Sequence, residues 1–208
     1  MTPSRTFRPV PVNARGKLLE AAVKLIRARG FSATSVDDLC REAGVTKGAF
    51  FHHFASKDAL GVATANYWST STSAFFDSAP YHAHDDPLDR VLGYLDFRLM
   101  LIDGEPEQFS CVAGTMVQEA FLSSPTIRAA CDASISGNAA KLVADIAAAT
   151  TRYAIANIDA ESLALHVQVV LQGAFVLSKA KGGPAIARDS ITHLKRYFCL
   201  LFRKGEMQ

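Results

Sequence analysis

A chain of 208 residues, 49% of them hydrophobic, can bury a sizeable core and build either one large domain or a small one joined to a larger one. No run approaches 18 consecutive apolar residues, and the opening MTPSRTFRPVPV lacks a signal peptide's apolar middle, so a cytoplasmic protein without a membrane role is expected. The net charge of +2 conceals an asymmetry: residues 1–57 carry ten Lys/Arg against four acids, whereas the remaining 151 carry 12 against 16. A basic first quarter on an acidic remainder is the footprint of a nucleic-acid module attached to a second body.

Helical signals then follow one another along the chain, and no strand-like alternation persists. The first helix, NARGKLLEAAVKLIRARGF, sets Leu18, Ala22 and Leu25 on one stripe and stops at Gly30. The second opens at Ser35 with Asp38 three residues on, the spacing of a capping box, and ends at Gly44. Thr46 can cap a third, short helix, and a fourth starts at Ser56 and runs to about Phe76. DSAPYHAHDDP reads as a loop. Asp86-Pro87 and Ser124-Pro125 then open helices reaching about Asp103 and Tyr153, with proline at the first helical position, where its missing N–H costs nothing. Asp159 and Pro184 open the last two helices. The expected fold is all-α, with a three-helix head over residues 1–60 and a larger helical body over 61–208.

The second and third helices are joined by Gly44-Val45-Thr46, a tight connection typical of a helix-turn-helix unit, whose second helix enters a DNA major groove. On the third helix Phe50 and Phe54 form one i, i+4 row directed at a core. Lys47 with Phe51, and Gly48 with His52, form two rows directed away from it. Lys47 and His52 offer donors to guanine edges or phosphates. A bare Gly48 costs a helix about 1 kcal/mol relative to Ala, a cost that makes sense where a DNA backbone approaches closely. Lys57 lies at the start of the fourth helix, whose free N–H groups favour phosphate. Adjacent His52 and His53 point about 100° apart and make a poor metal pair.

Residues 30–60, GFSATSVDDLCREAGVTKGAFFHHFASKDAL, resemble the DNA-binding head of the TetR family of bacterial transcriptional regulators. Thr34, Leu39, Ala43-Gly44-Val45, Gly48, His53-Phe54, Lys57 and Leu60 all fall where that family's motif has them. The resemblance implies DNA contacts from Thr34, Ser35, Thr46, Lys47, Gly48, Phe51, His52 and Lys57. It further implies a homodimer on a palindromic operator of double-stranded DNA, paired through its last two helices, and repression released by a small-molecule effector. The family commonly has Tyr where this chain has Phe51, so a phosphate hydrogen bond of about 1 kcal/mol per head is missing. The basic arm residues Arg5 and Arg8 could reach a neighbouring minor groove or phosphates.

In the body, Leu163, Val167, Val170, Leu171, Ala174 and Leu177, then Ile191, Leu194, Phe198 and Leu201, spread over more than one stripe of the last two helices. One stripe facing the protomer core and another a partner helix would explain this. Aromatic and Met side chains suit an apolar ligand cavity, and the candidates are Trp68, Tyr94, Phe97, Met100, Phe109 and Met116, with Glu119 and His166 as polar partners. Cys40, Cys111, Cys131 and Cys199 show no CxxC pairing, which argues against a zinc ribbon or a disulfide framework. Cys111, where a body helix should begin, is an alternative covalent sensor of electrophiles or oxidants. His82, His84, Asp85 and Asp86 form a polar loop rather than a metal site. No GxSxG, HExxH, Walker-type loop or dinucleotide fingerprint is present, so neither an enzyme nor a cofactor is expected. The remaining alternative is an architectural DNA binder controlled by a protein partner.

Overall fold

The computed structural model describes residues 13–204, all of whose regular elements are helical. In order these are α1 (Ala14–Arg29), α2 (Val36–Ala43), α3 (Lys47–His53), α4 (Lys57–Asp77), a 3-10 turn (Pro80–Ala83), α5 (Pro87–Leu101), α6 (Pro106–Phe109), α7 (Val112–Ala120), α8 (Pro125–Arg152), α9 (Ala160–Lys181) and α10 (Ala185–Leu201). The all-α expectation holds, and the expected starts at Thr46, Asp86, Cys111 and Asp159 are all N-caps. The short α6 and the 3-10 turn in the 77–87 loop are additions that periodicity, needing more than one turn, does not reveal. Arg5 and Arg8 lie outside the described residues.

Two compact units emerge, Met1–Phe76 with Ser110–Ile135, and Asp77–Phe109 with Ser136–Gln208. The unit holding the head is therefore wider than the expected 1–60 segment, because α4, α7 and the start of α8 share its core. That core joins Leu18, Ala22 and Ile26 of α1 to Leu39 of α2, Phe50 and Phe54 of α3, Leu60 and Trp68 of α4, Met116 of α7 and Ile127 of α8. The buried stripe of α1 is rotated slightly from the expected one: Ile26 is enclosed and Leu25 is only partly covered, since neighbours on several sides widen the buried face. Gly61 lets Phe31 and Ile127 approach, for a Cβ there would lie 3.0 Å from each side chain.

The second unit is built on α5, α9 and α10. Val167, Leu171 and Ala174 of α9 are buried, as are Ile191, Leu194 and Phe198 of α10 and Leu88, Val91 and Leu95 of α5. Ion pairs between α5 and α10 and the residues just past their ends run in antiparallel register, Asp89 with Lys204, Asp96 with Lys195, and Asp103 with Arg188 at 3.7 Å. These pairs are partly exposed, so solvent screens them and they set register more than stability. Arg90 ties the loop before α5 to α8, donating to Asp145 at 2.7 Å and to the His84 carbonyl at 2.8 Å. Asp86 caps α5 through the Leu88 N–H and accepts from the Tyr153 hydroxyl. Burial pushes its carboxyl up, but these donors outweigh it and the pKa falls below the ordinary value. Although long and apolar enough by composition to cross a membrane (mean hydropathy 1.4), α9 buries its inner face within this unit, as core helices also do.

Candidate DNA-binding surface

Three caps build the head. Ser35 accepts from the Asp38 N–H, and Asp38 returns the bond to the Ser35 N–H, completing the capping box that the spacing predicts. The Ser35 hydroxyl, reinforced by Arg29 and Arg41, holds the Asp38 carboxyl well below the usual carboxylate range. Gly44 ends α2 in the left-handed conformation, φ 63°, where any other residue would be strained. Thr46 then accepts from the Ala49 N–H at 3.1 Å and starts α3. The chain thus turns from α2 into α3 within three residues, the geometry of a helix-turn-helix.

Phe50 and Phe54 anchor α3 from behind, both buried, with Arg15 of α1 over the Phe54 ring at 5.4 Å. The opposite rows emerge as expected: Lys47, Gly48, Phe51 and His52 are all exposed, and Phe51 keeps 53% of its surface in solvent. At Gly48 an added Cβ would meet only the Thr46 hydroxyl oxygen at 3.8 Å, so packing within the chain does not require glycine there.

Two expected contacts look different in the structure. Thr34 is 1% exposed and gives its hydroxyl to the Gly30 carbonyl at 2.7 Å, so its side chain closes the α1–α2 turn instead of facing outward. Lys57 is half-buried; its ammonium donates to the Ser32 carbonyl at 3.4 Å and lies 4.5 Å over the Phe31 ring. A feature the sequence did not reveal is the Asp37–Lys47 ion pair at 2.8 Å, which links α2 to the first residue of α3. Its hydrogen bond raises the Lys47 pKa above the ordinary value. The i, i+10 separation across a turn carries no helical periodicity that could have announced it.

The expected ligand residues divide between the two units. In the first, Trp68 packs under the Arg27 guanidinium at 5.1 Å, Met116 is fully enclosed in the core, and Glu119 accepts from the Ser32 backbone N–H at 2.6 Å. In the second, Tyr94 and Phe97 flank the Tyr81 ring at 5.8 and 6.0 Å, and Phe109 meets Phe175 at 6.1 Å. Met100 is exposed, and His166 faces outward on α9 against Tyr197 at 5.7 Å. Residue 166 falls outside the inner stripe of α9 because that stripe follows Ala164, Val167 and Leu171. Cys111 is partly buried and caps α7, accepting from the Gly114 N–H, while burial pushes the Cys131 thiol up to about 12. Among the described residues no cluster of three or more His, Cys, Asp or Glu could hold a metal ion.

Residues 18–64 match the family model described as bacterial regulatory proteins, tetR family. The HTH-type transcriptional repressor DhaR of Mycobacterium sp. (strain GP1) is 27% identical over 114 residues, 55% of this chain and 56% of that protein. The repressor KstR2 of Mycobacterium tuberculosis is 46% identical over 46 residues, 22% and 23% of the two chains. The matched stretch spans from 18% to about half of the length of the curated relatives it aligns with. A solved TetR-family regulator from Agrobacterium tumefaciens superposes with a TM-score of 0.77 at 19% identity, over 88% of this chain and 96% of that one. The head, residues 18–64, is thus similar in sequence to the TetR family of bacterial regulatory proteins, and the helical fold of the chain matches that of solved TetR-family structures.

Proposed function

We propose that the protein is a sequence-specific transcriptional regulator whose α3 enters the major groove of double-stranded DNA. The observation that supports this most directly is the outward row Lys47, Gly48, Phe51 and His52, held rigid by Phe50 and Phe54 behind it. Ser35 and Thr46 stand at the N-termini of α2 and α3, where free N–H groups favour phosphate oxygens. In this reading residues 1–60 form the DNA-binding segment and 61–208 the effector-binding and dimerisation segment. The matched relatives named as repressors favour repression over activation.

The same proposal includes a homodimer joined through α9 and α10. Its support is an outward apolar row, Leu165, Val169, Val176 and Leu177 on α9 with Tyr197 and Leu200 on α10, all of them exposed large hydrophobics. Gly173 lies in that row, with nothing of its own chain within 4 Å of where a Cβ would be. A two-fold pair of heads reads a palindrome with half-sites about 34 Å apart. A small-molecule effector would release the complex only if it bound the free dimer more tightly than the DNA-bound one. Such a regulator works in the cytoplasm and needs no cofactor.

Selection of bound duplexes from a random pool, followed by fluorescence anisotropy on the enriched sequence, tests the reading. An inverted repeat bound by two protomers is the expected result. Equal, salt-sensitive binding to enriched and scrambled duplexes would reduce the protein to a phosphate binder and refute it.

A further inference from the structure

Glu119 stands at the last turn of α7, 87 residues from the turn that it grips. One carboxylate oxygen accepts the Ser32 N–H at 2.6 Å. The other fills the space over Gly30, where a Cβ would collide with it. Gly30 has φ 92°, a backbone conformation that favours glycine, and the exposed Glu119 side chain lays its carboxylate over that bare position. From the opposite direction Lys57 of α4 donates to the Ser32 carbonyl and covers Phe31, while Thr34 closes the turn on the Gly30 carbonyl. The next residue is Ser35, the cap that begins α2. The start of the helix-turn-helix is therefore held by a carboxylate from α7 and an ammonium from α4, both within the first compact unit.

We propose that Glu119 is a positioning residue for DNA recognition: its hydrogen bond to Ser32 sets the attitude of α2, and through the three-residue turn that of α3, relative to α7. This rests on the DNA-binding reading of α3. It reassigns Glu119 from the expected effector partner to a link between α7 and the head. Movement of α7 reaches the head through this bond without any change in the residues that touch DNA. The sign of the effect separates positioning from charge. Removing an acid near a DNA-binding surface raises affinity for any duplex by relieving repulsion. Loss of a positioning bond lowers affinity for the selected duplex and leaves the scrambled one unchanged.

The test uses the full-length chain as wild type, Glu119→Asp and Glu119→Gln. Aspartate keeps the charge but retracts the carboxylate by one methylene, about 1.5 Å, out of reach of Ser32. Glutamine loses the charge but keeps an acceptor at the same reach. Anisotropy is read on the enriched and scrambled duplexes, and hydrogen exchange at the Ser32 amide is followed by NMR without DNA. The expected result is about a tenfold loss of affinity for the enriched duplex with aspartate, substantial rescue with glutamine, and Ser32 protection that follows the same order. Wild-type discrimination by Glu119→Asp overturns the proposal, and so does a loss in Glu119→Gln as large as in Glu119→Asp. If the wild-type protein selects no duplex, the DNA-binding reading fails and takes the recognition role with it. The Ser32 exchange rates still decide whether the bond exists, and unchanged protection in Glu119→Asp would deny it.

Discussion

Gly48→Ala separates what the fold needs at this position from what DNA needs. Gly48 is the second residue of α3, exposed, with no positive φ and only the Thr46 oxygen within 4 Å of an added methyl, at 3.8 Å. In the free protein that methyl makes ordinary van der Waals contact and removes the entropic cost of ordering a glycine. The chain should gain about 0.5–1 kcal/mol in stability. On DNA the same methyl lies on the outward surface of the helix that approaches the groove. Crowding of a closely packed contact costs about 1–3 kcal/mol, so operator affinity should fall roughly tenfold or more. Urea denaturation and anisotropy on the enriched duplex read the two effects separately. A variant that is both more stable and equally tight on DNA would refute the close approach of a DNA backbone at Gly48, and with it the proposed face of α3.

Phe51→Tyr adds a hydroxyl to an exposed ring and should tighten operator binding by about 1 kcal/mol per head, measured by anisotropy; no gain would move residue 51 away from the phosphate. Val169→Glu places a charge in the outward row of α9 and should shift the protein from dimer to monomer in light scattering after gel filtration, with weakened binding to the full palindrome but little change in helicity. A persistent dimer would remove α9 from the interface. Asp38 has a depressed pKa in the folded state, so its contribution to stability is present above the unfolded value of about 4 and is lost as pH falls through the folded one. Ser35→Ala removes the largest cause of that depression. Carboxyl NMR titration should show Asp38 moving up, bringing acid unfolding to higher pH; an unchanged Asp38 would assign the depression to the Ser35 backbone N–H and to Arg29 and Arg41 instead.

The head was legible in the sequence because its determinants are local. Capping oxygens at Ser35 and Thr46, the glycine at 44 and the i, i+4 pair Phe50/Phe54 each act within one or two turns, and physics at that range depends on spacing alone. The same holds for the proline-led starts of α5 and α8 and for the separate apolar rows of α9, one buried and one exposed. The ligand candidates were less legible. Residue type marks Met116 and Phe97 equally as core or cavity lining, and only burial distinguishes an enclosed Met116 from an exposed Met100.

By itself, then, the sequence determined the longer helices, the caps at Ser35 and Thr46, the inward and outward faces of α3, and the family that the head resembles. The tertiary structure decided which distant groups meet. It paired Asp37 with Lys47 across the turn, turned Thr34 inward, and brought Glu119 onto the Ser32 N–H over a bare Gly30. Such contacts depend on how helices pack against one another. That packing follows from the shape of a shared core assembled by α1, α4, α7 and α8, and no periodicity along the chain encodes it.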